Sequence, residues 1–257
     1  MSNAKTEKNS LWIQANLVVK RIVDVIGSGL GLFLLLPVFI GISFAIINDS
    51  EGPILFRQDR LTKNGKEFKM LKFRSMYMDS EKQGARLFNY KNDPRVTRVG
   101  RKLRNTSLDE LPQLINVLAG DLSLVGPRPS VSYELGDFKT LNSIYKKRFG
   151  MTAGITGLAQ TEGRNNISWD EKVHYDNKYI DQFRKYGVLL DVKILFMTFL
   201  KVSKSQDIYE KKINETMRVE EVAAAEDAEI DRIAHLSDEE YKKFEKLKYG
   251  VKGNEIG

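Results

Sequence analysis

Hydrophobic residues concentrate in one uninterrupted block near the start of the chain and thin out toward its end. From Val25 to Ile47 the run VIGSGLGLFLLLPVFIGISFAII carries no charge. As one straight helix it would extend about 35 Å, against a hydrocarbon core of about 30 Å. It is too long and too apolar for an ordinary buried helix, and too long for a cleaved signal peptide. Pro37 stands near its middle and removes the hydrogen bond to the carbonyl of Phe33, which favours a kink. Basic residues flank both ends, Lys20 and Arg21 before, and Arg57, Arg60, Lys63 and Lys66 after. A spanning helix would leave one group on the far side, against the positive-inside tendency. The pattern therefore predicts a helix–break–helix hairpin that enters and leaves one leaflet, ahead of a single spanning helix. Asp24, one turn after Lys20 and close to Arg21, is expected to pair with them at the membrane edge. Upstream, Leu11, Trp12, Ala15, Val18 and Val19 fit one face of a short helix, either lying on a membrane surface or ordinarily amphipathic.

From Gly52 the period changes. GPILFRQDR and KEFKMLKFRSM read as strands with a basic face, in which Lys66, Lys69, Lys72 and Arg74 interleave with Phe68, Met70 or Leu71, and Phe73. Residues 79–100 read as polar loop. A helix then runs to about Leu118, with Leu111, Leu114, Ile115 and Leu118 packed inward and Gly120 as its stop. DLSLVGPRP reads as a short strand and a rigid turn, with proline on both sides of Arg128. Residues 131–150 predict a helix with a basic end, Lys146, Lys147 and Arg148. GMTAGITGLAQTEGRN reads as a Gly- and Thr-rich loop that approaches a ligand, with Gln160 and Arg164 as polar contacts and no Walker spacing. Ser168 with Glu171 is a capping box opening a helix to Tyr186 that carries His174, Asp176 and Tyr179. Val188–Val202 predicts an apolar helix, either core or interfacial. After Ser205, charges of both signs predict a solvated, partly helical extension. The chain thus divides into a membrane-associated segment, 5–48, an α/β domain, 49–204, and the extension, 205–257.

Composition narrows the chemistry. The 257 residues contain no cysteine and two histidines, His174 and His235. Disulfide frameworks, zinc-thiolate sites and a cysteine nucleophile are excluded, and any metal would sit on oxygen ligands, which suits Mg²⁺. The net charge of +7 suits nucleic acid, an anionic membrane face or a phosphorylated small substrate. The candidate chemistry lies in RKLRNTSLDELPQLINVLAGDLSLVGPRP, from Arg101 to Pro129. Asp109 and Glu110 are adjacent, with Arg101 and Arg104 before them and Arg128 after. Ser107 with Glu110 reads as a capping box, or Asp109 itself as the cap with Pro112 at the third helical position. Either reading sets both carboxylates at a helix N-terminus, where anions and phosphate are favoured. Neighbouring helical residues point about 100° apart, so the two would have separate jobs: one attacking phosphorus, the other holding a metal. Simple capping by both acids is the structural alternative.

Together, KRIVDVIGSGLGLFLLLP, GPILFRQDR, KMLKFRSM, DPRVTRVGRKLRNTSLDELPQLINVLAGDLSLVGPRP and GITGLAQTEGRN resemble the bacterial sugar transferases that load a sugar phosphate onto a polyprenyl phosphate, the small monotopic phosphoglycosyl transferases. The resemblance covers about Lys20 to Val202. It implies a membrane-embedded re-entrant hairpin, including Pro37, Lys20, Arg21 and Asp24, joined to an α/β catalytic domain with amphipathic interfacial helices. That domain would lie on the cytoplasmic face of the bacterial inner membrane. It implies a ping-pong reaction in which Asp109 attacks the sugar-linked phosphate of a UDP-sugar and releases UMP, after which undecaprenyl phosphate takes the sugar phosphate. Mg²⁺ with Glu110 and Asp109 would neutralise the diphosphate, and Lys72, Arg104 and Arg128 would hold phosphates or the nucleotide. Gln160, Arg164 and Asp176 are assigned to substrate binding from their loop positions. The implied partners are the UDP-sugar, undecaprenyl phosphate, inner-membrane lipid and a second copy in a homodimer, with no nucleic acid. Two departures stand out. Larger relatives carry several transmembrane helices ahead of this domain, whereas nothing before residue 20 is expected to span; and Leu36-Pro37 replaces a frequent Ser-Pro, losing a hydroxyl that could satisfy freed backbone groups. The competing reading is a non-catalytic, membrane-anchored protein that binds anions or nucleic acid through the basic strand around Phe68 to Arg74.

Overall fold

In the computed structural model of the protein, the apolar run folds as the end of one long helix, α1 (Ser2–Leu34), and the whole of a shorter one, α2 (Leu36–Asp49). The structure describes residues 2–78, 80, 93–131, 135–163, 167–203 and 219–249. No proline or glycine separates the polar start from the apolar run before Gly27, so the short helix expected near residues 5–20 is continuous with the first helix of the bent pair. The break falls at Leu35, with Pro37 in the first turn of α2 where its missing N–H costs nothing. The two axes bend by 61° there. No single helix among the described residues is long and apolar enough to cross a membrane, while the bent pair together has the length and composition. Trp12, Ile26, Leu30, Phe33, Leu34 and Phe44 remain exposed on it.

The polar residues of α1 rivet it to the rest of the protein. The expected pairing of Asp24 with Lys20 and Arg21 does not form, because each finds a better partner across the interface. Lys20 is buried, 2.6 Å from the Asp191 carboxylate, and donates to the Val125 carbonyl at 2.7 Å. Arg21 donates to carbonyls in the last turn of a helix much later in the chain (Gln113–Ala119), those of Val117 and Leu118. Asp24 accepts from the Leu124 N–H and the Ser123 hydroxyl. Burial pushes the Asp191 carboxyl up, against the pull of Lys20 and a hydrogen bond from Tyr179. A buried pair contributes little relative to an apolar one, but breaking it strands a charge. Lys20→Met is therefore expected to destabilise the protein by about 3–5 kcal/mol; a melting temperature in detergent equal to wild type would contradict this.

Strands β1 (Leu55–Leu61) and β2 (Glu67–Phe73) pair antiparallel, with β4 (Ser130–Val131) on the other edge of β1. A second sheet pairs β3 (Ser123–Val125) in parallel with β5 (Gly154–Thr156). The basic residues around β2 do not share one face. Lys69 is exposed beside Asp59, Arg74 turns inward to the carbonyls of Ser50 and Glu51, and Lys72 points with Phe68 and Met70 toward the interior. Helix α3 (Arg98–Thr106) begins inside the stretch read as loop, capped by Thr97. Helix α4 (Gln113–Ala119) ends at Gly120, as its left-handed φ of 93° requires.

The inward face of α4 is only partly the one expected, with Leu111 packed against the cluster of Ile42, Ile46, Phe73 and Leu103. Leu111 and Leu114 are half-buried, and Ile115 and Leu118 are exposed, whereas Gln113, Asn116 and Val117 are buried. The reason is the free edge of β2. Asn116 completes it by accepting from the Leu71 N–H and donating to the Lys69 carbonyl, both at 2.9 Å. The apolar side of α4 turns instead toward α1, where Leu114 closes over Gly31.

Residues 131–150 are not one helix. Gly136, at φ 65°, and the turn at Asp137 break it, leaving α5 (Ser143–Lys147), capped by Asn142, and a 3-10 turn at Arg148–Gly150. The Gly- and Thr-rich stretch contains β5 and the short α6 (Leu158–Glu162) rather than loop alone. Helix α7 (Trp169–Tyr186) opens on the expected capping box. Helix α8 (Val188–Ser203) buries Leu190 and Ile194 in the core and exposes Leu189, Val192, Phe196 and Phe199, so both readings of it are partly met. The extension is not simply solvated. Its helices α9 (Val219–Ala234) and α10 (Asp238–Tyr249) bury Ile230, Ile233, Ala234 and Tyr241 against Leu135, Tyr145, Trp169 and Val173.

Candidate active site

Asp109 and Glu110 occupy a single 3-10 turn, Leu108–Glu110, between α3 and α4. Neither predicted cap forms. Ser107 lies in the left-handed region at φ 57° and ends α3, its N–H bonded to the carbonyls of Leu103 and Arg104. Pro112 stands at the head of α4 with φ −61°. The carboxylates thus precede α4 instead of capping it, because the chain must first reverse after α3. Asp109 is buried and Glu110 is half-buried.

The strand period brings Lys72 to this turn. On β2 it shares a face with the core residues Phe68 and Met70, which would strand a cation in apolar surroundings. Glu110 relieves that cost: its carboxylate is 3.1 Å from the Lys72 ammonium, with both side chains about one-fifth exposed. Across the β1–β2 ladder, Arg60 stands opposite Phe68 on the same face. It donates to Gln58 Oε1 and to the Pro129 carbonyl.

Arg128 enters from a loop whose backbone is held at every residue. Gly126 N–H donates to the Thr156 carbonyl at 2.8 Å, and the Pro127 carbonyl accepts from Gly154 N–H at 2.9 Å. The Arg128 N–H donates to Asp176 and its carbonyl accepts from Arg148, while Arg60 takes the Pro129 carbonyl. Gly154 permits this approach: a Cβ there would stand 2.1 Å from Gly126 N and 2.4 Å from the Thr156 carbonyl. Neither is a flexible side chain that could move aside. Gly154→Ala is expected to cost about 1–3 kcal/mol or more and to displace Arg128; normal stability with normal substrate affinity would contradict it.

Lys72, Glu110, Arg60, Arg128, Gln113 and Gln160 line one cleft. Its cations outnumber its single carboxylate, so it favours a polyanion such as a diphosphate. Both side-chain polar atoms of Gln160 are buried with no hydrogen-bond partner among the described residues, leaving an amide able to donate and accept toward a ligand. Of the residues singled out in the sequence, Lys72, Glu110, Arg128 and Gln160 come together in this cleft. Asp109 is buried in the same turn but is not part of the cleft lining. Arg104 also lies outside the lining and donates to Ser75. Asp176 is fully buried behind the Arg128 loop, where burial pushes its carboxyl up to about 6 against the pull of Arg148. Arg164 falls outside the described residues. The sequence reading missed Gln113 and gave Arg60 only a hairpin-flanking role; the two-residue spacing of Gln58 and Arg60 on a strand was the available signal for Arg60.

Among the described residues no three carboxylates or histidines stand together. Mg²⁺ is commonly held by one or two carboxylates completed by phosphate oxygens and water, and Glu110 with Asp109 would supply such oxygens beside the cationic cleft.

Comparison with known proteins gives the family. The family model for bacterial sugar transferase matches residues 15–205. The chain is 42% identical over 191 residues to a UDP-glucose:undecaprenyl-phosphate glucose-1-phosphate transferase of Klebsiella pneumoniae, covering 72% of this chain and 40% of that protein. It is 40% identical over 195 residues to the galactosyl transferase CpsE of Streptococcus agalactiae, covering 72% and 42%. It is 37% identical over 216 residues to an undecaprenyl-phosphate galactose phosphotransferase of Salmonella typhimurium, covering 79% and 44%. The chain therefore spans about two fifths of the length of these relatives. Since the match begins in α1, runs through the carboxylate turn and the Arg128 loop, and ends just beyond α8, the chain belongs to the bacterial sugar transferase family.

Proposed function

We propose that the protein transfers a sugar 1-phosphate from a UDP-sugar to undecaprenyl phosphate through a phosphosugar–aspartate intermediate on Asp109. The observation that carries this reading is the junction of the Asp109–Glu110 turn with a cleft lined by Lys72, Arg60 and Arg128. A carboxylate approaching a diphosphate is repelled, and cations must offset that charge before it can act as a nucleophile. In the first step an Asp109 oxygen bonds to the sugar-linked phosphorus, and the bond from that phosphorus to the bridging oxygen breaks, releasing UMP. In the second, a phosphate oxygen of undecaprenyl phosphate bonds to the same phosphorus and the carboxylate leaves. Lys72, Arg60 and Arg128 hold the phosphates, and the Gln160 amide contacts the donor. Mg²⁺ bound through Glu110 and Asp109 would supply neutralising charge at the diphosphate.

The bent α1–α2 pair supports a re-entrant hairpin that leaves the cleft at the headgroup plane on the cytoplasmic face of the inner membrane. The exposed apolar side of α8 would lie in the same interface. This arrangement lets a soluble nucleotide and a lipid phosphate meet at one carboxylate. The anion- or nucleic-acid-binding alternative needs a continuous basic strand face, and the cations around β2 point in different directions toward separate partners.

The test is release of UMP from a panel of UDP-sugars, beginning with UDP-glucose and UDP-galactose. The assay holds detergent-solubilised protein, Mg²⁺ and undecaprenyl phosphate. Release from one donor is expected. No release from any donor by well-folded protein would reject the proposal.

A further inference from the structure

We infer that Arg148 and Asp176 are a buried positioning pair that acts on substrate only through Arg128; the inference rests on the proposed phosphoryl transfer. The Arg148 guanidinium is 2.8 Å from the Asp176 carboxylate, and both side chains are almost wholly excluded from solvent. The same guanidinium donates to the Arg128 carbonyl at 2.7 Å, and Asp176 Oδ1 accepts from the Arg128 N–H at 3.4 Å. One ion pair therefore holds both backbone polar groups of the residue that turns its side chain to the cleft. Neither member of the pair lines the cleft.

Stability alone does not account for the pair. Burying two charges costs roughly what their attraction returns, and apolar residues of similar size would serve as well or better. The pair is also incompletely satisfied: among the described residues neither Arg148 Nη1 nor Asp176 Oδ2 has a hydrogen-bond partner. Its guanidinium rests on the Trp169 ring at 4.9 Å and near the Phe149 ring at 5.6 Å. These rings hold the guanidinium in place, and one terminal nitrogen, Nη2, both donates to the Arg128 carbonyl and faces Asp176 Oδ2 in an ion pair that lacks hydrogen-bond geometry. Lying against the two rings, the planar guanidinium keeps that nitrogen at a fixed point, whereas a lysine ammonium on a flexible stem has no such plane to hold it there. Pro127 and Pro129 restrict the backbone on either side of Arg128 but have no N–H of their own, so the buried pair supplies the remaining orientation.

Two measurements on the full-length protein test this. Because its neighbours are prolines, Arg128 carries the only exchangeable backbone amide between Gly126 and Ser130. Hydrogen exchange of that segment therefore reports the clamp without any catalytic assay. Arg148→Lys keeps a charge opposite Asp176 and loses the fork; it is expected to speed exchange at Arg128. In UMP release it is expected to raise the donor KM about tenfold with kcat less affected. The variant Arg128→Ala should show a similar defect, and the double variant should be no worse than Arg128→Ala alone. Unchanged exchange, an unchanged KM, or defects that multiply in the double variant would overturn the inference. If Arg148→Lys fails to fold, the neutral pair Arg148→Gln with Asp176→Asn replaces it, with the same outcomes deciding. If wild type releases no UMP from any donor, the proposed reaction fails, and the exchange result still decides whether the pair clamps Arg128.

Discussion

Asp109→Asn is expected to lower UMP release at least about a thousandfold while leaving the melting temperature unchanged. Asparagine matches the shape of aspartate and keeps one carbonyl oxygen as an acceptor, so the turn at Leu108–Glu110 should persist. It lacks the anionic oxygen that would bond to phosphorus. The cations in the cleft would still bind donor, so binding should survive where turnover does not. The complementary measurement omits undecaprenyl phosphate. Wild-type protein given donor alone should release one UMP per active site and gain the mass of one sugar phosphate, as a double-displacement enzyme does. Near-wild-type turnover in the asparagine variant, or no mass gain despite full turnover with acceptor, would reject the covalent route in favour of direct transfer.

Removing everything after Ser203 is expected to lower the melting temperature by at least about 10 °C. The deletion uncovers Leu135, Tyr145, Trp169 and Val173 and removes Ile230, Ile233 and Tyr241 from the same cluster. Each such side chain contributes about 1.5–3 kcal/mol on burial, and several are lost together. It also removes Lys248, whose ammonium stands 2.9 Å from the almost wholly buried carboxylate of Asp170. Trp169 is both a member of that cluster and the ring beneath Arg148, so the truncated protein should bind donor more weakly as well as melt earlier. A truncated chain with the wild-type melting temperature would show α9 and α10 to be accessory. The family match stops at residue 205, which makes this packing a feature of the chain outside the matched region.

The readable parts of this protein were those set by local chemistry. Pro37 and the apolar run located the helix break, Gly120 ended α4, Ser168 and Glu171 opened α7, and the two strands followed their alternation. Each depends on the covalent limits of one residue or on neighbours within a single turn. Even among the candidate site residues, Lys72, Glu110, Arg128 and Gln160 could be singled out before their cleft was known.

Several other features needed a partner from far along the chain. Asn116 is buried because β2 has an open edge, some forty-five residues away in sequence. Lys20 chooses Asp191 over Asp24 because a buried ammonium needs a carboxylate in its own pocket, and α8 provides one. Arg148 looked like the end of a basic helix and is instead the clamp on Arg128. The charged extension looked solvated, yet its apolar residues, spaced three and four apart, close a core that the preceding chain leaves open. By itself the sequence determined the helix break, the first two strands, the opening of α7, the family likeness and the residue types able to manage phosphate. Only the tertiary structure decided which charges are paired, which faces are buried and which side chains meet, because the cost of burying a polar group is set by what stands opposite it, and that depends on the whole fold.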